Sequence, residues 1–154
     1  MTNIAKGHCL CGYVSYEYSG HIGPANYCHC EDCRRSTGSA FNIGVRFDVA
    51  GFRIVSGNPK AFTKRGESGF ELTRHFCPEC GSPIYTSSPR HPEYVYVKAG
   101  TLDDPNLVRA THQNWVISTV AWSKIEENLP AFTKGTESTP AQQPATADAK
   151  KQQI

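Results

Sequence analysis

Seven cysteines fall into three clusters, Cys9-Leu10-Cys11-Gly12, Cys28-His29-Cys30-Glu31-Asp32-Cys33 and Cys77-Pro78-Glu79-Cys80-Gly81. Grouped thiols bridge as disulfides, exchange electrons or hold a metal. The stretch Met1-Thr2-Asn3-Ile4-Ala5-Lys6-Gly7-His8 has no apolar run behind a basic one, so no secretory signal is expected and the cytoplasm is favoured. Cytoplasmic thiols stay reduced, and an odd number leaves a sulfur over in any complete disulfide framework. A redox reading of Cys77-x-x-Cys80 wants a βαβ pattern around it, and none is visible. Metal binding remains.

In Cys77-x-x-Cys80-Gly81 two sulfurs on one tight turn aim at a single ion, and Gly81 can take the positive φ such a turn often needs. Cys9 and Cys11 form a second pair. Two ligands from each of two distant turns complete a tetrahedral Cys₄ zinc site, closed and structural. Cys28, Cys30 and Cys33 are left over. Three protein ligands with an open fourth position are the arrangement of a catalytic zinc, on which a thiol ionises at neutral pH without a separate base. This partition predicts two zinc ions per chain, one structural and one catalytic. The competing reading closes the triplet with a histidine as Cys₃His and makes both sites structural. His29, flanked by two ligands on an extended segment, is expected to face the opposite side, while His8, His75 and His112 stay open as fourth ligands.

The elements that must position these groups read as short strands broken by turn residues, with no long helix. Strands are expected over Gly12 to Tyr18, Ala40 to Phe47, Phe52 to Val55, Ala61 to Lys64, Phe70 to Phe76, Ile84 to Thr86, Tyr94 to Lys98 and Trp115 to Val120. Phe41, Ile43, Val45 and Phe47 would share one face, and Glu93-Tyr94-Val95-Tyr96-Val97 alternates most clearly. Helical turns are expected at Glu31 to Arg35, where acidic residues fall in the first turn, and at Leu102 to Pro105. Tyr27, Tyr94, Tyr96, Trp115 and Trp122 are expected to pack in the sheet, the core or a pocket wall.

A chain of 154 residues fits one domain and buries enough surface not to need metal merely because it is small. Its composition is that of a soluble protein and excludes a membrane span. Sixteen Lys plus Arg against fourteen Asp plus Glu give no reason to expect a nucleic-acid partner. From Gly135 the chain has no aromatic residue and little to bury, so residues 1–134 are expected to form the domain and 135–154 a disordered tail.

The three cysteine motifs, with Arg34-Arg35-Ser36-Thr37-Gly38 after the triplet, and Ala99-Gly100-Thr101-Leu102-Asp103-Asp104-Pro105, Trp122 and Leu129-Pro130-Ala131-Phe132 downstream, resemble the glutathione-dependent formaldehyde-activating enzymes, a family that also takes in centromere protein V. The resemblance implies a small, mainly β zinc-binding fold similar to the Rab-interacting zinc chaperones, with short helical turns. It implies structural zinc on Cys9, Cys11, Cys77 and Cys80 and active-site zinc on Cys28, Cys30 and Cys33. It also implies a carbon-sulfur lyase that, in reverse, joins formaldehyde and glutathione into S-hydroxymethylglutathione. The expected partner is thus a small-molecule thiol such as glutathione. Its carboxylates would meet Arg34 or Arg35, with Thr37 and Gly38 offering a hydroxyl and a backbone N–H. Glu31, Asp32 and His112 are open as proton donors. The alternative is a non-enzymatic, zinc-stabilised binding module.

Overall fold

A computed structural model describes residues 4–124, 126–138 and 140–141. The fold is mainly β. In chain order the strands are β1 (Ala5–His8), β2 (Ser15–Tyr18), β3 (Ala25–Cys28), β4 (Asn42–Asp48), β5 (Phe52–Ser56), β6 (Lys60–Arg65), β7 (Glu71–Phe76), β8 (Pro83–Ser87), β9 (Tyr94–Lys98) and β10 (Ala110–Asn114). One α-helix, α1 (Glu31–Thr37), lies between β3 and β4. Strands β1-β2-β5 make a three-stranded sheet, and β10-β3-β4-β9-β8-β7-β6 a seven-stranded one in which only the β10–β3 pair is parallel. No helix among the described residues is long and apolar enough to cross a membrane.

The core lies between the two sheets. Tyr18 of β2 stacks on Phe47 of β4 at 3.9 Å, and Phe52 of β5 meets Tyr85 of β8 edge-on at 5.1 Å. Val45, Phe47, Val95 and Val97 are buried on this inner face, whereas Phe41 and Ile43 are only half-buried. The outer face of the large sheet follows from register, since residues directly opposite in paired strands project the same way. Cys28 lies opposite Asn42, Gly44 opposite Lys98, Arg46 opposite Tyr96, Tyr96 opposite Thr86, and Thr86 opposite Arg74. Helix α1 folds over this outer face, its Asp32 pairing with Lys64 of β6 and Arg74 of β7.

Three expectations are corrected. Trp115 to Val120 is not a strand: Trp115 takes a left-handed φ of 60°, and Val116–Ser118 form a 3₁₀ turn instead. The strand in this region is β10, one stretch earlier. Trp122 is 73% exposed and so does not belong to the core. The helical turn expected at Leu102 to Pro105 is displaced to Ala99–Thr101 and Pro105–Leu107.

At the C-terminus, Gln113 and Ala131 form a parallel bridge and Phe132 and Pro140 an antiparallel one. Within the expected tail, the Ala141 N–H donates to the Ala131 carbonyl, and Glu137 pairs with Arg90 at 3.0 Å. Of that segment, Thr139 and 142–154 lie outside the described residues.

Candidate metal centres and the outer-sheet site

The Sγ atoms of Cys9, Cys11, Cys77 and Cys80 all lie within 4.8 Å of one another. Cys9 and Cys11 are 3.5 Å apart and Cys11 and Cys77 3.8 Å. Four sulfurs on a tetrahedral zinc at about 2.3 Å sit about 3.8 Å from each other, so the geometry fits an ion at the centre. Each pair sits on a hydrogen-bonded turn. Cys77 N–H donates to Ser82 O and Gly81 N–H to Cys77 O, both at 2.9 Å, and Gly81 has the φ of 75° that the spacing asked for. Cys9 N–H donates to Val14 O while Val14 N–H donates to Cys9 Sγ at 3.2 Å. Leu10 N–H donates to Ser82 Oγ, joining the turns. Hydrogen bonding from Ser82 pulls the Cys80 thiol down to about 5. Cys9 and Cys77 are fully buried.

The second cluster is Cys28, Cys30 and Cys33, again with all Sγ atoms within 4.8 Å. Cys28 ends β3, Cys30 is the N-cap of α1 and accepts from Cys33 N–H, and Cys33 lies one turn on. Among the described residues no histidine or carboxylate joins the three sulfurs. Three thiols in mutual contact cannot share charge evenly. The Cys28 and Cys33 thiols hold Cys30 far below a normal thiol, and Cys28 is raised well above it by the same contacts. A cation among them removes that conflict by stabilising all three thiolates.

The histidines stand elsewhere. His29 is buried on the other side of the chain, its Nε2 3.1 Å from Gln113 Oε1 and its ring against Phe41. His75 stacks on Tyr85, His8 pairs with Asp103, and His112 shares a hydrogen bond with Thr111 Oγ1.

Helical spacing sorts the residues after the triplet. Arg34 follows Cys30 by four positions and shares its face, whereas Arg35 stacks on Glu31 on the outer side. Arg35 is exposed and its Nε donates to Glu31 Oε1 at 2.7 Å. Arg34 Nε is buried with no hydrogen-bond partner among the described residues. The Thr37 hydroxyl donates to Cys33 O at 2.8 Å and accepts from Ser39 N–H, and Gly38 closes the helix at φ 66°. Both are thus engaged in ending α1. Of the acids, Glu31 is engaged by Arg35, and Asp32 by Lys64 and Arg74.

The structure adds residues that the linear sequence did not single out. Lys98 is 8% exposed, and its Nζ donates to Asn42 Oδ1 at 2.8 Å. Burial pushes its ammonium down, while the charges of Cys33, Cys28 and Cys30 hold it up. Arg74 acts in the same way on Cys30, favouring its thiolate. Asn114, opposite Cys28 on the β10 side, has a buried Oδ1 with no partner among the described residues. A signal existed for Lys98 alone: it ends the alternation Tyr94-Val95-Tyr96-Val97 on the polar phase.

This constellation, a mainly β domain with one four-thiol and one three-thiol cluster that could hold metal ions, defines a class of small cysteine-rich β protein. The family model of the glutathione-dependent formaldehyde-activating enzymes matches residues 4–118, and the chain belongs to that family. A Halomonas elongata protein described as a candidate glutathione-dependent formaldehyde-activating enzyme is 33% identical over 110 residues, covering 65% of this chain and 66% of that protein. The match thus spans just under two thirds of that relative's length. The crystal structure of a Rhodobacter sphaeroides protein superposes with a TM-score of 0.53 at 27% identity, covering 68% of this chain and 96% of that one.

Proposed function

We propose that the protein is a zinc-dependent carbon-sulfur lyase that makes and breaks the adduct of a small thiol, glutathione first, with formaldehyde. The observation that carries this is the triplet: three sulfurs gathered on a strand end and a helix start, with no fourth histidine or carboxylate beside them among the described residues. Cys9, Cys11, Cys77 and Cys80 would hold a structural zinc, and Cys28, Cys30 and Cys33 the active-site zinc. When bound by the triplet, zinc supplies a Lewis-acidic fourth position at which a substrate thiol is kept ionised.

The chain's own residues do the rest. Cys30 and Cys33, held by the first turn of α1, and Cys28, held by strand pairing, would supply the three sulfurs that hold the zinc. Arg34 supplies a donor for a substrate carboxylate, and Asn114 Oδ1 an acceptor for a substrate N–H. In synthesis the thiolate sulfur adds to the carbonyl carbon, the π pair moves to oxygen, and that oxygen takes a proton to give the S-hydroxymethyl adduct. The lyase direction returns the proton and breaks the carbon-sulfur bond. Holding thiolate and aldehyde together converts a bimolecular encounter into a local one.

The test has two parts on the full chain. Elemental analysis should find two zinc ions per folded chain, and the approach to the hemithioacetal equilibrium, timed with glutathione and formaldehyde, should be faster with protein than without. One zinc or fewer refutes the partition. Two zinc ions without acceleration leave a metal-stabilised binding module.

A further inference from the structure

Among the described residues Lys98 is a buried cation with no carboxylate to answer it, and the negative groups near it are the thiols of the triplet. Its residue is 8% exposed, and among the described residues its Nζ has no carboxylate partner and one neutral acceptor, Asn42 Oδ1 at 2.8 Å. A buried ammonium is costly unless an opposite charge lies close, so such a group persists where something negative compensates it.

The register shows what lies close. Lys98 starts opposite Gly44 on β4, and its amine ends on Asn42, two residues along the same strand, which in turn lies opposite Cys28. Gly44 carries no side chain between them; a Cβ there would meet the Asn42 Nδ2 at 3.4 Å and the Tyr96 Cβ at 3.6 Å, both ordinary contacts. The charged neighbours of Lys98 are the three thiols of the triplet and Arg74, and Arg74 already shares Asp32 with Lys64.

Three thiolates around a divalent cation carry a net charge of minus one. A fourth thiolate makes it minus two, whereas water or another neutral ligand leaves it unchanged. A fixed positive charge in a poorly solvated setting separates these two cases strongly. We infer that Lys98, anchored by Asn42 across Gly44, is a positioning residue that makes the fourth place at the Cys28-Cys30-Cys33 centre selective for an anionic sulfur over neutral ligands. This rests on the open-site reading above. It adds a determinant of ligand class that lies on another strand from every cysteine of the triplet.

The experiment uses the full chain loaded with cobalt(II), with sulfur-to-cobalt charge-transfer absorption reporting the bound thiolate and the d–d bands reporting imidazole. 2-Mercaptoethanol is the thiol probe because it has no carboxylate for Arg34. Lys98→Gln should weaken 2-mercaptoethanol by about tenfold or more and imidazole by less than about twofold, and Lys98→Arg should restore the thiol to within about threefold of the parent. Equal weakening of both probes, or no change in either, overturns the inference, since a merely structural lysine has no reason to distinguish them. If Lys98→Gln fails to fold or to load cobalt, Asn42→Ala frees the amine from its anchor. It should lower the thiol-to-imidazole preference by about threefold, and an unchanged preference overturns the inference equally. A parent protein that takes no thiol at all refutes the open site itself, a result distinct from any failure of Lys98.

Discussion

Cys9, Cys11, Cys77 and Cys80 face one another from two turns at the edge of the buried core, whereas Cys28, Cys30 and Cys33 gather from a strand end and a helix start over the outer face of the large sheet. The first group is surrounded by its own backbone. Val14 N–H and Ser82 Oγ touch its sulfurs, and Cys9 and Cys77 belong to the hydrophobic cluster. The second has Lys98 and Arg74 as electrostatic neighbours, Arg34 next to Cys33 in the chain and Asn114 opposite Cys28 in the sheet, the last two each with a buried polar atom unanswered among the described residues. The same thiol chemistry thus has its buried hydrogen-bonding groups answered in one place, although Cys11 is exposed, and is left demanding in the other. A structural centre satisfies every donor and acceptor it buries; a centre meant to receive a ligand leaves some of that work to the ligand.

The largest effect should come from breaking that contrast at the cysteines. Cys77→Ser removes a ligand from the centre that joins turns 66 residues apart, as the Cys11–Cys77 contact shows, and structural zinc contributes on the order of 10 kcal/mol in small zinc peptides. The variant should lose its cooperative thermal transition. Cys33→Ser lies on a seven-residue helix over the outer face and should leave a folded chain that loses one metal to mild chelation. Circular dichroism melts with metal analysis check both, and equal damage from the two variants would erase the distinction between the centres.

A smaller effect should come from the C-terminal segment, whose described residues pack beside β10 on the side of the second cluster. Gln113 N–H donates to Pro130 O and Phe132 N–H to Gln113 O, so the segment flanks β10, the strand that sets Asn114 opposite Cys28. Truncation after Ala141 should change nothing measurable. Truncation after Lys134 removes the Ala141 and Ser138 hydrogen bonds and the Arg90–Glu137 pair. It should cost about 1–2 kcal/mol, seen as a lower Tm and faster loss of the more labile metal. A melt unchanged by the longer truncation would put the domain boundary at Lys134.

How much of this was legible in the chain differs between the same two regions. The cysteine grouping was open to reading because ligand type and short-range spacing are written in consecutive residues. The strands on the outer edge were not: Ala110-Thr111-His112-Gln113-Asn114 forms β10 with Gln113 buried and no apolar alternation to announce it, and Ala5-Lys6-Gly7-His8 forms β1 by burying only Ala5 and Gly7. Trp115 to Val120 has strand-like composition, yet Trp115 turns left-handed, so hydrophobic pattern placed the strand too late. The lysine, arginine and asparagines around the triplet come together through register between strands far apart in sequence, which spacing along the chain does not encode.

The smallest effect separates two adjacent arginines. Both follow Cys33, and composition alone makes them equivalent carboxylate partners. In the fold Arg35 is exposed and held by Glu31 at 2.7 Å, a solvent-screened surface pair of the kind that contributes little. Arg34 shares the face of Cys30 and keeps its Nε buried without an acceptor among the described residues, so a ligand carboxylate that reaches it gains a charge-assisted hydrogen bond in a setting that salt screens poorly. Arg34→Ala should therefore weaken glutathione about tenfold in the cobalt-loaded protein and keep most of that loss at high salt. Arg35→Ala should change it less than about twofold, and only at low salt. Neither should alter 2-mercaptoethanol, which has no carboxylate to lose. If both arginines act alike, glutathione is held by the general positive field of the outer face and not by one buried donor. The contrast between a satisfied centre and an unsatisfied one would then rest on the cysteines and Lys98 alone.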